Sequence, residues 1–424
     1  MNIKIICLLP TLFILLSANS CDNITEIEKE VVEISKPLPN PINIRLTRAE
    51  NALISSDQAF AFEFFAKVFA AEKLDQDVNF MVSPFSLSMA LAMIWNGSAN
   101  DTKLAIQKTL GMNRMSDNEV NSYFRKLKES FETTDPSTRL AIANSIWTNK
   151  NIPILLEFVS LNQIYYNATV EAVDFSYPSS TLKINQWASD KTNGLINNVI
   201  DEIDPQALMY LLNALYFKGI WTSPFDIENT SRVKFIPERG SSRKVMMMNQ
   251  NAHFNYTSDR MMQMIELPYG NEAFNMIVLL PKQGRMVSDI SRALLNKDLW
   301  NTMKNQMKEA DVDLYLPRFK TEYSKKLNNV LKDMGMGVAF DPNKADFSRM
   351  SNKASFISFV EQFTYIATDE IGTEAAVTTG GMMTTSMPST PEKVLFKVDK
   401  SFMYVIEENS TGSILFMGVV NKTW

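Results

Sequence analysis

The chain has 424 residues, of which 45% are hydrophobic and 21% charged, so it can bury a substantial core and reads as a globular body rather than a disordered one. Its net charge of −5, with acids and bases interspersed, leaves no electrostatic footprint for nucleic acid and excludes that partner. One histidine and two cysteines give no metal-ligand spacing, and no glycine-rich phosphate cradle is present, so neither a metal nor any other cofactor is expected.

In chain order, residues 1–20 read as a secretion signal: Lys4 precedes an apolar run over 5–16, then the small residues Ser17, Ala18 and Ser20. That run is short of the roughly 20 residues a permanent spanning helix needs, which argues against a retained anchor. Cys21 follows at the place of a bacterial lipidation box, with Ala18 where leucine is usual; the alternative is a plain secreted form cleaved nearby. Because Cys7 lies inside the signal, the mature body has no internal disulfide and depends on its core alone. Eight Asn-x-Ser/Thr sequons, Asn96, Asn167 and Asn255 among them, are glycosylation candidates in a eukaryote and a by-product of asparagine richness in a bacterium. The acidic stretch after Cys21 and the prolines Pro37, Pro39 and Pro41 predict an extended tether over 21–50.

The globular body is expected over 51–424. Helical patterning begins near Ser56, with Ser55 or Ser56 as cap and Phe60, Phe64, Phe65, Val68 and Phe69 on one stripe. Further helices are predicted over 86–95, 102–110, 120–131 and 324–334. Strands are predicted over 140–147, 208–217, 274–280, 312–316, 355–368, 394–398 and 413–420. The order implies an α+β body whose sheets are built partly from distant segments.

Catalytic chemistry is hard to find in this chain. His253 sits in a polar stretch beside Asn251, Asn255 and Tyr256, and a Ser-His-Asp or Cys-His enzyme needs such a base against its nucleophile. Ser231 with Lys234, Ser241 with Lys244, and Ser116-Asp117-Asn118 fit fragments of a Ser-Lys signature, but in the wrong order and without its K-T-G, so solvated loops are the favoured reading. Most of the 25 methionines read as adaptable core filler.

Residues 370–391 form a long run of small, weakly polar residues between two strand-like segments. A structureless linker of that length inside a compact domain is uncommon, and an ordered one is usually functional. As a strand it would place Thr373, Ala375, Val377, Thr379, Gly381 and Met383 on one uncharged face, with Glu374 on the other. The segment is thus suited both to an exposed loop and to a buried strand.

Glu370 with Gly372, Thr373, Glu374, Ala375 and Ala376 resembles the hinge of inhibitory serpins, and the resemblance extends from about residue 55 to 424. Ser83-Pro84 with Ser86, the stretch from Asn213 to Trp221, Glu266-Leu267-Pro268-Tyr269, Leu316-Pro317-Arg318-Phe319 and Leu415-Phe416-Met417-Gly418 carry it. Lipoprotein-type inhibitory serpins of bacteria also share the Cys21 tether arrangement. The resemblance implies a serpin fold with three β-sheets, eight to nine helices and an exposed C-terminal reactive-centre loop. It implies a monomer able to form loop-sheet polymers, whose partner is a target peptidase trapped covalently, and no enzyme of its own.

The same resemblance places a shutter at Ser83, Ser86, Asn213 and Gln362, where Gln362 replaces a frequent histidine and Phe363 a lysine. Glutamine still offers a donor and an acceptor, so an altered but working shutter is expected. The resemblance also implies, by the family's usual spacing from the hinge glutamate, a scissile bond at Ser386-Met387, with Thr385-Ser386 and Met383-Thr384 as alternatives. Pro388 disfavours cleavage after Met387. No Lys or Arg lies between Gly372 and Pro391, which disfavours trypsin-like targets and points to elastase-, subtilisin- or papain-like peptidases. A non-inhibitory serpin acting as a binding module is the alternative function.

Overall fold

The computed structural model describes residues 38–72, 78–113, 115–373 and 393–423. Its first half runs α1 (Arg48–Ala71), β1 (Phe80–Val82), α2 (Pro84–Gly97), α3 (Asn100–Thr109), α4 (Asp117–Phe131), β2 (Thr138–Asn149), α5 (Leu156–Tyr166), β3 (Thr169–Val173), α6 (Pro178–Lys191) and β4 (Met209–Ile220). A strand-rich stretch follows with β5 (Ser231–Phe235), β6 (Arg243–Ser258), β7 (Met262–Tyr269) and β8 (Phe274–Pro281), then α7 (Val287–Ala293) and α8 (Lys297–Asn305). The chain closes with β9 (Lys308–Pro317), β10 (Phe319–Lys326), α9 (Asn328–Leu331), β11 (Phe359–Thr368), β12 (Gly372–Thr373), β13 (Val394–Lys397), β14 (Phe402–Glu408) and β15 (Ser413–Val420). Nine α-helices among the described residues and mixed sheets make this the expected α+β architecture.

One sheet has six strands in the order β10-β11-β12-β4-β2-β3; the other has nine, β1-β15-β14-β8-β7-β6-β9-β13 with β5 on β6. Two of the three expected sheets are therefore one hydrogen-bonded ladder. The sixteen-residue β6 joins them: it pairs with β9 from Met247 to Tyr256 and with β7 from Tyr256 to Ser258.

Burial explains the sequence patterns. Every residue of α2 is buried, so this helix, started by the Ser83 cap and Pro84, is apolar all round rather than on one stripe. In β4 the run from Met209 to Phe217 is buried throughout, since the six-stranded sheet is covered on both faces. Its inner face joins the main core. Its outer face packs Trp147, Tyr210 and Phe363 against Ile184 and Trp187 of α6. Phe363 here fills an apolar layer where a lysine would need solvent.

Three expectations need correction. The helix predicted over 324–334 is a strand as far as Lys326, because Ser324, Lys325 and Lys326 pair with Phe363, Gln362 and Glu361 of β11; the helix begins at Asn328, α-helical over Asn328–Leu331 and π-helical over Lys332–Met336. The strand expected from 355 begins at Phe359. Neither Ser55 nor Ser56 caps the first helix. Thr47 does, in a reciprocal capping box with Glu50, and Ser55 donates to the Asn51 carbonyl in mid-helix.

Residues 39–50 accordingly belong to the body and not to the tether expected over 21–50; residues 21–37, Cys21 included, lie outside the described residues. Ile44 is buried, its amide donating to Ser410 Oγ at 3.0 Å. The Ile42 carbonyl accepts from Thr134, the Arg45 carbonyl from Lys126 and the Pro39 carbonyl from Asn271. A chain begun at Leu46 should unfold at a lower temperature than one begun at Leu38, reflecting about 2 kcal/mol from Ile44 burial and about 1 kcal/mol per lost hydrogen bond. Equal midpoints in a thermal melt would show that the segment contributes nothing.

Candidate functional site

The site is built at the seam between β4 and β11. These strands run parallel as direct neighbours from Tyr210/Phe359 to Tyr216/Tyr365. Above that point they separate to admit β12, which is antiparallel to both: Gly372 lies opposite Ile220, and Thr373 opposite Gly219 and Thr368. The hinge therefore already occupies the first two positions of a strand between β4 and β11. Gly372 is required by close approach, since a Cβ there would overlap the Gly219 carbonyl oxygen and the Ile220 Cα.

Thr373 is fully buried, and its hydroxyl shares a hydrogen bond of 2.7 Å with the Tyr269 hydroxyl. Tyr269 in turn stacks on Trp221, ring centroids 4.4 Å apart. Trp221 clamps the turn below the hinge with two donors, its backbone N–H to the Ile371 carbonyl at 2.7 Å and its indole N–H to the Asp369 carbonyl at 2.9 Å. The Asp369 carboxylate accepts from the Ile371 and Gly372 amides, and burial pushes that carboxyl up. Glu370 points inward, where its Oε1 accepts from Arg318 Nη2 at 2.6 Å, Arg318 Nε at 2.9 Å and the Thr230 hydroxyl at 2.5 Å.

Three residue pairs below Tyr216/Tyr365, the four residues expected to form the shutter come together, none more than 1% exposed. The Gln362 amide uses both ends: Oε1 accepts from the Ser83 amide at 2.7 Å, while Nε2 donates to the Ser83 carbonyl at 2.9 Å and to Asn213 Oδ1 at 2.7 Å. Asn213 Nδ2 donates to Ser86 Oγ and to Asn144 Oδ1. The Ser83 hydroxyl reaches the Leu415 carbonyl on the other sheet. Gln362 and Asn213 are in register across the seam, so their hydrogen bond ties β11 to β4.

The hinge residues Glu374, Ala375 and Ala376, the reactive-bond residues Met383, Thr384, Thr385, Ser386 and Met387, and Cys21 lie outside the described residues. Sequence reasoning did not assign the hinge clamp of Trp221, Tyr269, Arg318, Asp369 and Thr230. Trp221, Tyr269 and Arg318 stood in matching motifs, but nothing in those motifs says they face residue 370.

A family model described as Serpin (serine protease inhibitor) matches residues 55–423, and the chain belongs to that family, one of protease inhibitors rather than enzymes. Among its relatives, leukocyte elastase inhibitor A of Mus musculus is 33% identical over 383 residues, covering 87% of this chain and 98% of the relative. Serpin B3 of Homo sapiens is 32% identical, with the same two coverages. The solved structure of tengpin, a thermophilic serpin in the native state, superposes with a TM-score of 0.80 at 28% identity, covering 91% of this chain and 97% of tengpin.

Two expectations follow. Gln362→Ala removes three buried hydrogen bonds, one across the seam to Asn213 and two to the Ser83 backbone, and should lower the melting temperature by an amount equivalent to about 2–4 kcal/mol, whereas Gln362→His should keep most of the stability. A melt in which the alanine and histidine variants coincide would remove Gln362 from the seam. Glu361, opposite Lys326, supplies a pH dependence. Burial pushes its carboxyl up to about 7, with Lys326 opposing the rise and Asp201 adding to it. The folded chain then holds this proton more tightly than the unfolded chain, so the stabilisation is full below the ordinary glutamate range and drains as pH rises toward 7. Glu361→Gln should flatten the fall in melting temperature between about pH 5 and 8; an unchanged slope would exclude Glu361 as its source.

Proposed function

We propose that this chain inhibits serine endopeptidases by covalent trapping, with the cleaved loop inserting between β4 and β11. The observation that carries the reading is the register of β12. Each further residue of the loop, added in that register, steps one residue back along both neighbours. Thr379 then falls opposite Asn213 and Gln362 together. It would replace their direct hydrogen bond with bonds through its own backbone and hydroxyl. Thr373 faces the core, so Ala375, Val377, Thr379, Gly381 and Met383 would follow it inward, and none carries a charge. Insertion exchanges one parallel pairing for two antiparallel ones, which is the source of the free energy released.

In the trapping step, the peptidase serine Oγ attacks the carbonyl carbon of Ser386. The Ser386-Met387 peptide bond breaks, the Met387 nitrogen leaves with a proton, and an ester joins Ser386 to the peptidase. Water would complete hydrolysis unless insertion first carries the peptidase to the far end of the sheet. Inhibition therefore depends on insertion outrunning deacylation, and small uncharged inward residues favour speed. Elastase-like enzymes lead the target classes, in keeping with a loop lacking Lys and Arg and with two relatives named as leukocyte elastase inhibitors. Subtilisin-like and papain-like enzymes are the further targets. Residues 1–20 would export the chain and a lipid on Cys21 would anchor it outside the cytoplasm. Heating would drive loop-sheet polymers by the same insertion between copies.

Mixing the chain with an elastase and a subtilisin should give a band at the summed mass on denaturing gels, with mass spectrometry locating cleavage at Ser386-Met387. Ala375→Arg places a charge on the inward face and should convert most encounters to plain cleavage, raising the number of inhibitor molecules used per peptidase at least about tenfold. Clean cleavage of the native chain, with both peptidases fully active, would overturn trapping.

A further inference from the structure

The nine-stranded sheet carries a cleft of about 320 Å³ that the trapping reaction does not use. Phe254 of β6 and Pro268 of β7 give it an apolar wall, and Glu266, Glu272, Asn275 and Glu309 give it polar lining. Its size is at the lower end of the range for small-molecule sites. The cleft adjoins the hinge clamp, because the Pro268 carbonyl accepts from the amide of Thr222, the residue after Trp221.

Two observations point to an occupant. Asn275 on β8 is only 4% exposed and lines the cleft, yet its side-chain amide has no hydrogen-bond partner among the described residues. Flanked by the buried Phe274 and Met276 and open only to the cleft, this amide offers a donor and an acceptor to an occupant. The second observation is charge. Glu266 is satisfied, by Asn255 at 2.9 Å and by Lys304, but the Glu272 and Glu309 carboxylates form no ion pair among the described residues. Three carboxylates against one ammonium leave the cleft negative. A ligand that complements it needs positive charge, several N–H donors for the carboxylates and the Asn275 carbonyl, and an apolar stem for Phe254 and Pro268.

We propose that this cleft binds a small organic cation bearing an amine or guanidinium group. The probe is agmatine, which has one of each on a four-carbon stem, titrated into the chain by calorimetry at neutral pH and low salt. One molecule should bind per chain and raise the melting temperature. Glu272→Gln with Glu309→Gln, both at exposed positions, should leave the fold intact and weaken binding at least about tenfold, as loss of charge-assisted hydrogen bonds requires. Asn275→Leu should weaken agmatine binding while keeping the ligand-free melting temperature, since its side chain makes no hydrogen bond among the described residues. Absence of saturable binding at millimolar agmatine, or equal affinity in the double glutamine variant, would overturn the site and reduce any heat to general attraction by an acidic protein.

Discussion

The parallel contact between β4 and β11 is the constraint on which the rest of the molecule depends. Parallel pairing is slightly weaker per residue than antiparallel pairing, and this seam is wedged open at one end by Gly372 and Thr373. Under the proposed trapping mechanism the seam must nevertheless stay closed until the loop is cut. Much of that task falls to side chains. The Gln362–Asn213 hydrogen bond crosses it, and Ser83, Ser86 and Leu415 tie the same point to α2 and to the other sheet. These groups are buried, so an unpaired member has no water to turn to, and the network opens as a unit.

Above the seam, the hinge is held by a set of interactions that fix its direction. The ion pair of Glu370 with Arg318 is mostly buried, and its desolvation offsets much of its attraction, so its clearer contribution is orientation. With Glu370 and Asp369 pinned and Trp221 gripping the carbonyls of Asp369 and Ile371 on either side of Glu370, Gly372 and Thr373 can only enter between β4 and β11. The stack of Trp221 on Tyr269 links this clamp to β7, and through the Pro268 carbonyl to the acidic cleft. A ligand in that cleft would therefore press on the wall that supports the hinge.

Glutamine at position 362, where the family resemblance implies a frequent histidine, has a physical consequence. The amide keeps one donor end and one acceptor end but does not titrate, so the bridge across the seam is itself insensitive to pH. Sensitivity moves to Glu361, one residue earlier and on the opposite face of β11, where burial and Asp201 favour the neutral acid. Phe363 follows the same outer face and joins the apolar layer under α6. Three consecutive residues of β11 thus divide into an outer titrating group, an inner polar bridge and an outer apolar plug.

Much of this was legible in the sequence because it is local. The period-two alternation of the loop, the lack of charge on one of its faces, the buried run of β4 and the small hinge residues all follow from neighbouring residues, and with the ordered motifs they identify the family. What needed the tertiary structure is contact between distant segments. Lys325 reads as helical by its neighbours, but pairing with Gln362 makes it strand; Ile42 and Ile44 read as tether, but Thr134 and Ser410 draw them into the body. The long β6, largely polar and methionine-rich, shows no clear alternation and so hid the joining of two expected sheets. Arg318 and Glu370 are 52 residues apart, and Gln362 and Ser83 are 279 apart; no periodicity reports such pairs. Local sequence sets what a segment can do, and only the packing of distant segments decides which partner makes it do so.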